Sequence, residues 1–206
     1  MKLGRYIIDT HVHAQRHAAG PEFKKAGLTD YKKIDYRELA RVMPSLKTYD
    51  NSERLLYDMD CYGVDMCILS SAFGMNNEIN MALVDRYPDR FRALAYPKET
   101  ADRAMAGEME WTMDAAVEEL DRLLSTGKFI GTGEGMPANP RGVMNQKTLS
   151  QTERMDQLRM VMDLGRKHRV PVRVHSGSPM GYPISYAFWP ENFHPSWVRD
   201  LATEYP

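Results

Sequence analysis

Cysteine is scarce. Only Cys61 and Cys67 occur among 206 residues; they are spaced neither as a zinc finger nor as a redox pair, and both are expected to be ordinary buried thiols. Long apolar runs are missing as well. The first twenty residues carry charges and histidines where a signal peptide would be uninterrupted, and nothing later approaches the roughly 18 apolar residues of a membrane span. An excess of one charge is also lacking: 27 basic and 28 acidic side chains leave a net charge of −1. With basic side chains never gathered into a long run, the chain shows no electrostatic footprint for nucleic acid or an anionic membrane. These absences lead us to expect a soluble, cytoplasmic protein whose partners are small molecules.

What is present is enough chain for one large domain. Hydrophobic residues make up 43% of it, and 15 methionines are scattered through it as flexible core filler. Apolar segments of strand type begin near residues 6, 64, 91, 129 and 171 and alternate with helical patterns. Helices are expected from about Asp50 to a stop at Gly63, from Met75 to Tyr87 before Pro88, from Trp111 to Ser125, from Thr152 to His168, and in the last segment "HPSWVRDLATEYP". Residues 14–49 read as an extended loop with one short helix, long enough for a lid. Strands alternating with helices argue for a parallel sheet with helical crossovers. Each unit takes about 40 residues, so the chain accommodates five; the expectation is a single α/β domain over residues 1–206, either an open sheet or, as we favour, the first five units of a TIM-type (β/α)₈ barrel truncated before the sixth strand.

In "YIIDTHVHAQRH", Ile7 and Ile8 mark a short buried strand. Side chains repeat every second residue along a strand, so Ile7, Asp9, His11 and His13 share one face. Two imidazoles aimed the same way from a stiff strand are a preorganised pair of ligands for zinc or a similar ion. The plainer alternative is a pair of hydrogen-bonded histidines at a strand exit. Active sites of parallel barrels lie at the C-terminal ends of the strands, and three of the five exits carry metal-competent groups: His11 with His13 on the first, Glu134 on the fourth, and His175 on the fifth. Ser70-Ser71 and Tyr96-Pro97, at the second and third exits, are weaker candidates. Arg173 shares a face with His175. A buried guanidinium needs a partner, which leaves Arg173 paired with Glu134 or Asp9, or holding a substrate carboxylate. Glu134 stays open among metal ligand, proton-transfer group and arginine partner. His168 fits the last turn of its helix as a structural cation; His17 reads as a loop residue and His194 as the neighbour of a helix cap.

These segments resemble a known family. "IIDTHVHAQ" is similar to the opening of the amidohydrolase superfamily. The set "YGVDMCILS", "NNEINMALVDRYPDRFRALA" and "VPVRVHSGS" resembles its amidohydrolase-related branch, which includes aminocarboxymuconate semialdehyde decarboxylase and the resorcylate decarboxylases. The resemblance implies a (β/α)₈ barrel and a divalent metal, usually zinc and sometimes manganese, with His11, His13 and His175 as ligands. It also implies a catalytic histidine after the sixth strand and a ligand aspartate after the eighth, positions that these residues do not reach. Glu134 resembles the strand-four glutamate of TatD-type nucleases in the same superfamily.

The leading functional expectation is nonoxidative decarboxylation of a small unsaturated or aromatic carboxylic acid, with Arg173 as a carboxylate clamp. Hydrolysis of an amide, ester or lactone by activated water, with Glu134 assisting, is the nearest alternative, followed by a non-catalytic barrel fragment. A phosphoesterase of the histidinol-phosphatase type ranks lower, because "AQRHAAGPEF" lacks the acidic glycine-containing loop. The expected partner is a small-molecule carboxylate, and a homodimer is allowed.

Overall fold

The structure, a computed structural model, describes residues 4–17, 48–71, 75–133, 151–174 and 199–205. Its elements in chain order are β1 (Ile8–Val12), β2 (Gln15–His17), β3 (Thr48–Asp50), α1 (Ser52–Tyr62), β4 (Met66–Leu69), α2 (Asn77–Arg86), β5 (Phe91–Ala93), α3 (Lys98–Ala106), α4 (Met113–Ser125), α5 (Gln151–His168) and α6 (Arg199–Glu204). The central sheet is parallel, in the order β1-β4-β5. Parallel bridges from Ala95 to Thr132 and from Thr132 to Val172 carry the same order onward.

Local chemistry explains most boundaries. Gly63 ends α1 in the left-handed conformation, at φ 71°, where a side chain would be strained. Asn76 and Thr112 cap α2 and α4 by accepting from Ile79 N and Ala115 N. Helix α3 has no side-chain cap of its own. The buried carboxylate of Glu119, on α4, takes that place by accepting from Glu99 N at 2.9 Å and Thr100 N at 2.7 Å, and so locks two neighbouring helices together.

Two glycines set how closely the fourth and fifth segments approach. A Cβ on Gly131 would lie 2.5 Å from the Pro171 carbonyl, and one on Gly133 would lie 2.8 Å from Arg173 Cβ. Gly133 also holds φ at 142°, a value that favours glycine. A flat sheet would separate the first and fifth segments by four strand spacings, roughly 19 Å, beyond the reach of an arginine. Yet Arg173 donates to Ser70 Oγ at 2.7 Å and to the Thr10 carbonyl. The sheet is therefore strongly curved, with its fifth segment facing its first.

The core lies between this sheet and the helices. Leu69, Phe91, Ala93, Ala95, Leu120 and Phe129 are buried in one cluster, and Gly165 of α5 lets that helix close onto Val172.

Several expectations need correction. The first strand, expected to be buried, exposes Ile7 and Ile8 at 42% and 47%, because among the described residues β1 pairs with β4 alone. The expected loop after it begins and ends as an antiparallel ribbon, with Gln15, Arg16 and His17 opposite Asp50, Tyr49 and Thr48; His17 is thus a strand residue. Cys61 is exposed and only Cys67 is buried. Helix α3 was not anticipated at all, although Pro97 before it, Glu99 in its first turn and Gly107 after it are start and stop signals.

Candidate metal centre

Strand β1 runs in register with β4 at Ile8–Met66 and Asp9–Cys67, then slips before Val12–Leu69. The cause is chemical. The Asp9 carboxylate accepts from the His11 N–H at 3.0 Å, drawing that amide away from the ladder. Irregularities of this kind re-aim side chains beside functional sites. Here the result is that the His11 and His13 rings meet edge to face, with centroids 5.3 Å apart and planes at 69°. Two imidazoles sharing a tetrahedral ion through nitrogens at about 2 Å would set their ring centres about 5 Å apart. The separation is compatible with a shared cation and equally with an ordinary edge-to-face ring contact.

His13 is also held by the backbone of the neighbouring strand. His13 Nδ1 lies 3.1 Å from the Ser70 carbonyl. A carbonyl can only accept, so Nδ1 is the donor in this contact. Metal-bound histidines are held in this way. Ser70 is completely buried at the end of β4, and its hydroxyl accepts from Arg173 Nη1. Ser70 was read as a weak candidate from sequence, yet it contacts both His13 and Arg173.

Around this pair the strand exits are joined by side-chain amides acting as pieces of backbone. Gln15, 1% exposed, donates to the Asn76 carbonyl at 2.9 Å and accepts from Asn76 N at 3.1 Å. Asn77 does the same one loop further on, donating to the Tyr96 carbonyl at 2.7 Å and accepting from Tyr96 N at 3.3 Å. Ser71 Oγ donates to the Asn76 carbonyl and accepts from Asn80 Nδ2. Neither Gln15 nor Asn77 was singled out from sequence, because pairs separated by 61 and 19 residues leave no periodic trace.

Of the residues expected at the site, His11, His13 and Arg173 are brought to one end of the curved sheet. Glu134 and His175 lie outside the described residues. Among the described residues no group of three His, Cys, Asp or Glu side chains assembles as a metal site, so the described part of the centre is the histidine pair and its supports. Cys67 is paired opposite Asp9; burial, and then the Asp9 charge, push its thiol up to about 11, leaving it protonated at neutral pH. His168 has the structural part expected of it, with Nε2 2.5 Å from Asp121.

The described residues contain no helix long and apolar enough to cross a membrane. Compared with known proteins, the chain matches no family model and no curated protein.

Proposed function

We propose that the chain is a metal-dependent enzyme of the amidohydrolase type that removes carbon dioxide from a small unsaturated or aromatic carboxylic acid in the cytoplasm. The observation that carries the metal half of this reading is the His11–His13 pair, with ring centroids 5.3 Å apart and His13 Nδ1 held by the Ser70 carbonyl. The decarboxylase half rests on the likeness of "IIDTHVHAQ", "YGVDMCILS" and "VPVRVHSGS" to the amidohydrolase-related branch.

In this reading His11, His13 and His175 hold zinc or manganese. A divalent ion bound there would polarise the carboxylate and a neighbouring substrate oxygen. The protein's own part is to orient the acid and manage the proton. A guanidinium presents a planar fork of N–H donors that matches a carboxylate, and Arg173 is the residue this reading assigns to the substrate carboxylate. Glu134 keeps the three roles the sequence leaves open, metal ligand, proton-transfer group or arginine partner. The buried amide pairs of Gln15 and Asn77 keep the surrounding loops fixed.

The test is turnover of a panel of small aromatic and unsaturated acids with direct detection of carbon dioxide. We expect release that stops on chelation and returns with zinc or manganese. Turnover of amides, esters or lactones without carbon dioxide would replace the decarboxylase reading with hydrolysis.

A further inference from the structure

We infer that Arg173 is a positioning residue for the histidine pair, acting through Ser70 and the Thr10 peptide, in addition to any part it has in holding substrate. The inference rests on the metal reading above and deepens it. Arg173 Nη1 donates to Ser70 Oγ at 2.7 Å and Nη2 donates to the Thr10 carbonyl. Both acceptors belong to the residues that aim the imidazoles. The Thr10 carbonyl is half of the peptide leading into His11, whose N–H is held from the other side by Asp9. Ser70 supplies the carbonyl that fixes His13 Nδ1. One guanidinium thus braces the backbone on both sides of the pair, and it does so from the opposite side of the curved sheet.

The physical case lies in rigidity. Arginine presents a planar fork in which two donors keep a fixed separation. Held between the hydroxyl of Ser70, just past β4, and a carbonyl on β1, the fork adds a side-chain tie to the Ser70 N–Val12 O bond of 2.9 Å that already joins the two strand ends. Gly133 makes room for it, because any side chain there would meet Arg173 Cβ and its carbonyl. Without the brace, Ser70 O can drift from His13 Nδ1. The ring is then free to take the Nε2–H tautomer that neutral imidazole prefers in water, which withdraws the nitrogen needed for a metal.

The experiment is nitrogen NMR of the His13 ring in the metal-free full chain, assigned by its loss in His13→Gln, alongside zinc titration. In the unaltered protein we expect His13 as the Nδ1–H tautomer. In Arg173→Met we expect a shift towards Nε2–H, and zinc binding weakened at least about tenfold, as for other outer-shell losses. Ser70→Ala, which keeps the carbonyl and removes only the hydroxyl, should move the same signal in the same direction by less, and it stands in should Arg173→Met fail to fold. A His13 signal unchanged in the variants overturns the inference, whether or not zinc binds. A normal tautomer shift with no zinc uptake by the unaltered protein supports the brace and overturns the metal reading alone.

Discussion

The two ends of the parallel strands are built on different physics. At the N-terminal end, Arg90 pairs with Asp60 while donating to the Asp65 carbonyl. The Asp65 carboxylate accepts from Ile7 N, and an open cavity of about 520 Å³ is lined by Tyr6, Met59, Asp65 and Arg90 among others. At the C-terminal end, Gln15, Ser70, Ser71, Asn77 and Asn80 are buried, and neutral amides take the place of ions. Exposed ion pairs contribute little and tolerate many geometries. A buried amide that matches both groups of a peptide tolerates one, since a lost partner strands a buried donor or acceptor. The contrast shows where the chain needs exact placement, and that end is the one carrying His11 and His13.

The comparison can be broken by substitution, and the largest effect is expected at Gly133. Gly133→Ala adds a methyl group against Arg173 at an unfavourable φ, and should cost about 3 kcal/mol, measured by denaturant unfolding. Gln15→Ala should follow at about 2 kcal/mol, because it leaves the Asn76 N–H without its partner. At the other end, Asp60→Asn should cost under about 1 kcal/mol, since that carboxylate is 68% exposed. If Asp60→Asn proves as costly as Gln15→Ala, the distinction between the ends fails.

Two smaller effects sharpen the picture. Contacts with Lys167 and then His168 hold the Asp121 carboxyl below its usual range. A depressed acid stabilises the fold above its unfolded pKa, about 3.9, and that contribution disappears as the pH falls through the folded value. Asp121→Asn should therefore lower stability at neutral pH and flatten its acid dependence below about pH 4. A thiol reagent should label exposed Cys61 quickly and reach buried Cys67, protonated at neutral pH, only on unfolding; mass spectrometry of partly labelled protein reads the difference.

What could be read in the sequence follows the reach of each interaction. Helices α1, α2, α4 and α5 were legible from their apolar spacing and because stops such as Gly63 and Pro88 act within one turn. The strand at Met66–Leu69 was legible from its apolar run. Helix α3 was missed because "KETADRAMA" is mostly polar and its N-terminus is satisfied by Glu119, 20 residues away. The histidine pair was visible as a spacing of two. Its supports were not: Ser70 lies 57 residues from His13 and 103 from Arg173; the pairing of β1 with β4 brings the first two together, and the curvature of the sheet brings the third. The described partners of Arg173, a hydroxyl and a carbonyl, are not legible in the sequence, because a buried guanidinium points first to a carboxylate such as Glu134 or Asp9.

The central claim is that His11 and His13 hold one divalent cation. Equilibrium dialysis of the full chain against zinc, followed by elemental analysis, tests it most directly. We expect uptake of about one equivalent, as in single-metal sites of this kind, lost when both His11→Ala and His13→Ala are introduced together. No uptake by the unaltered protein, or equal uptake by the double variant, would contradict it.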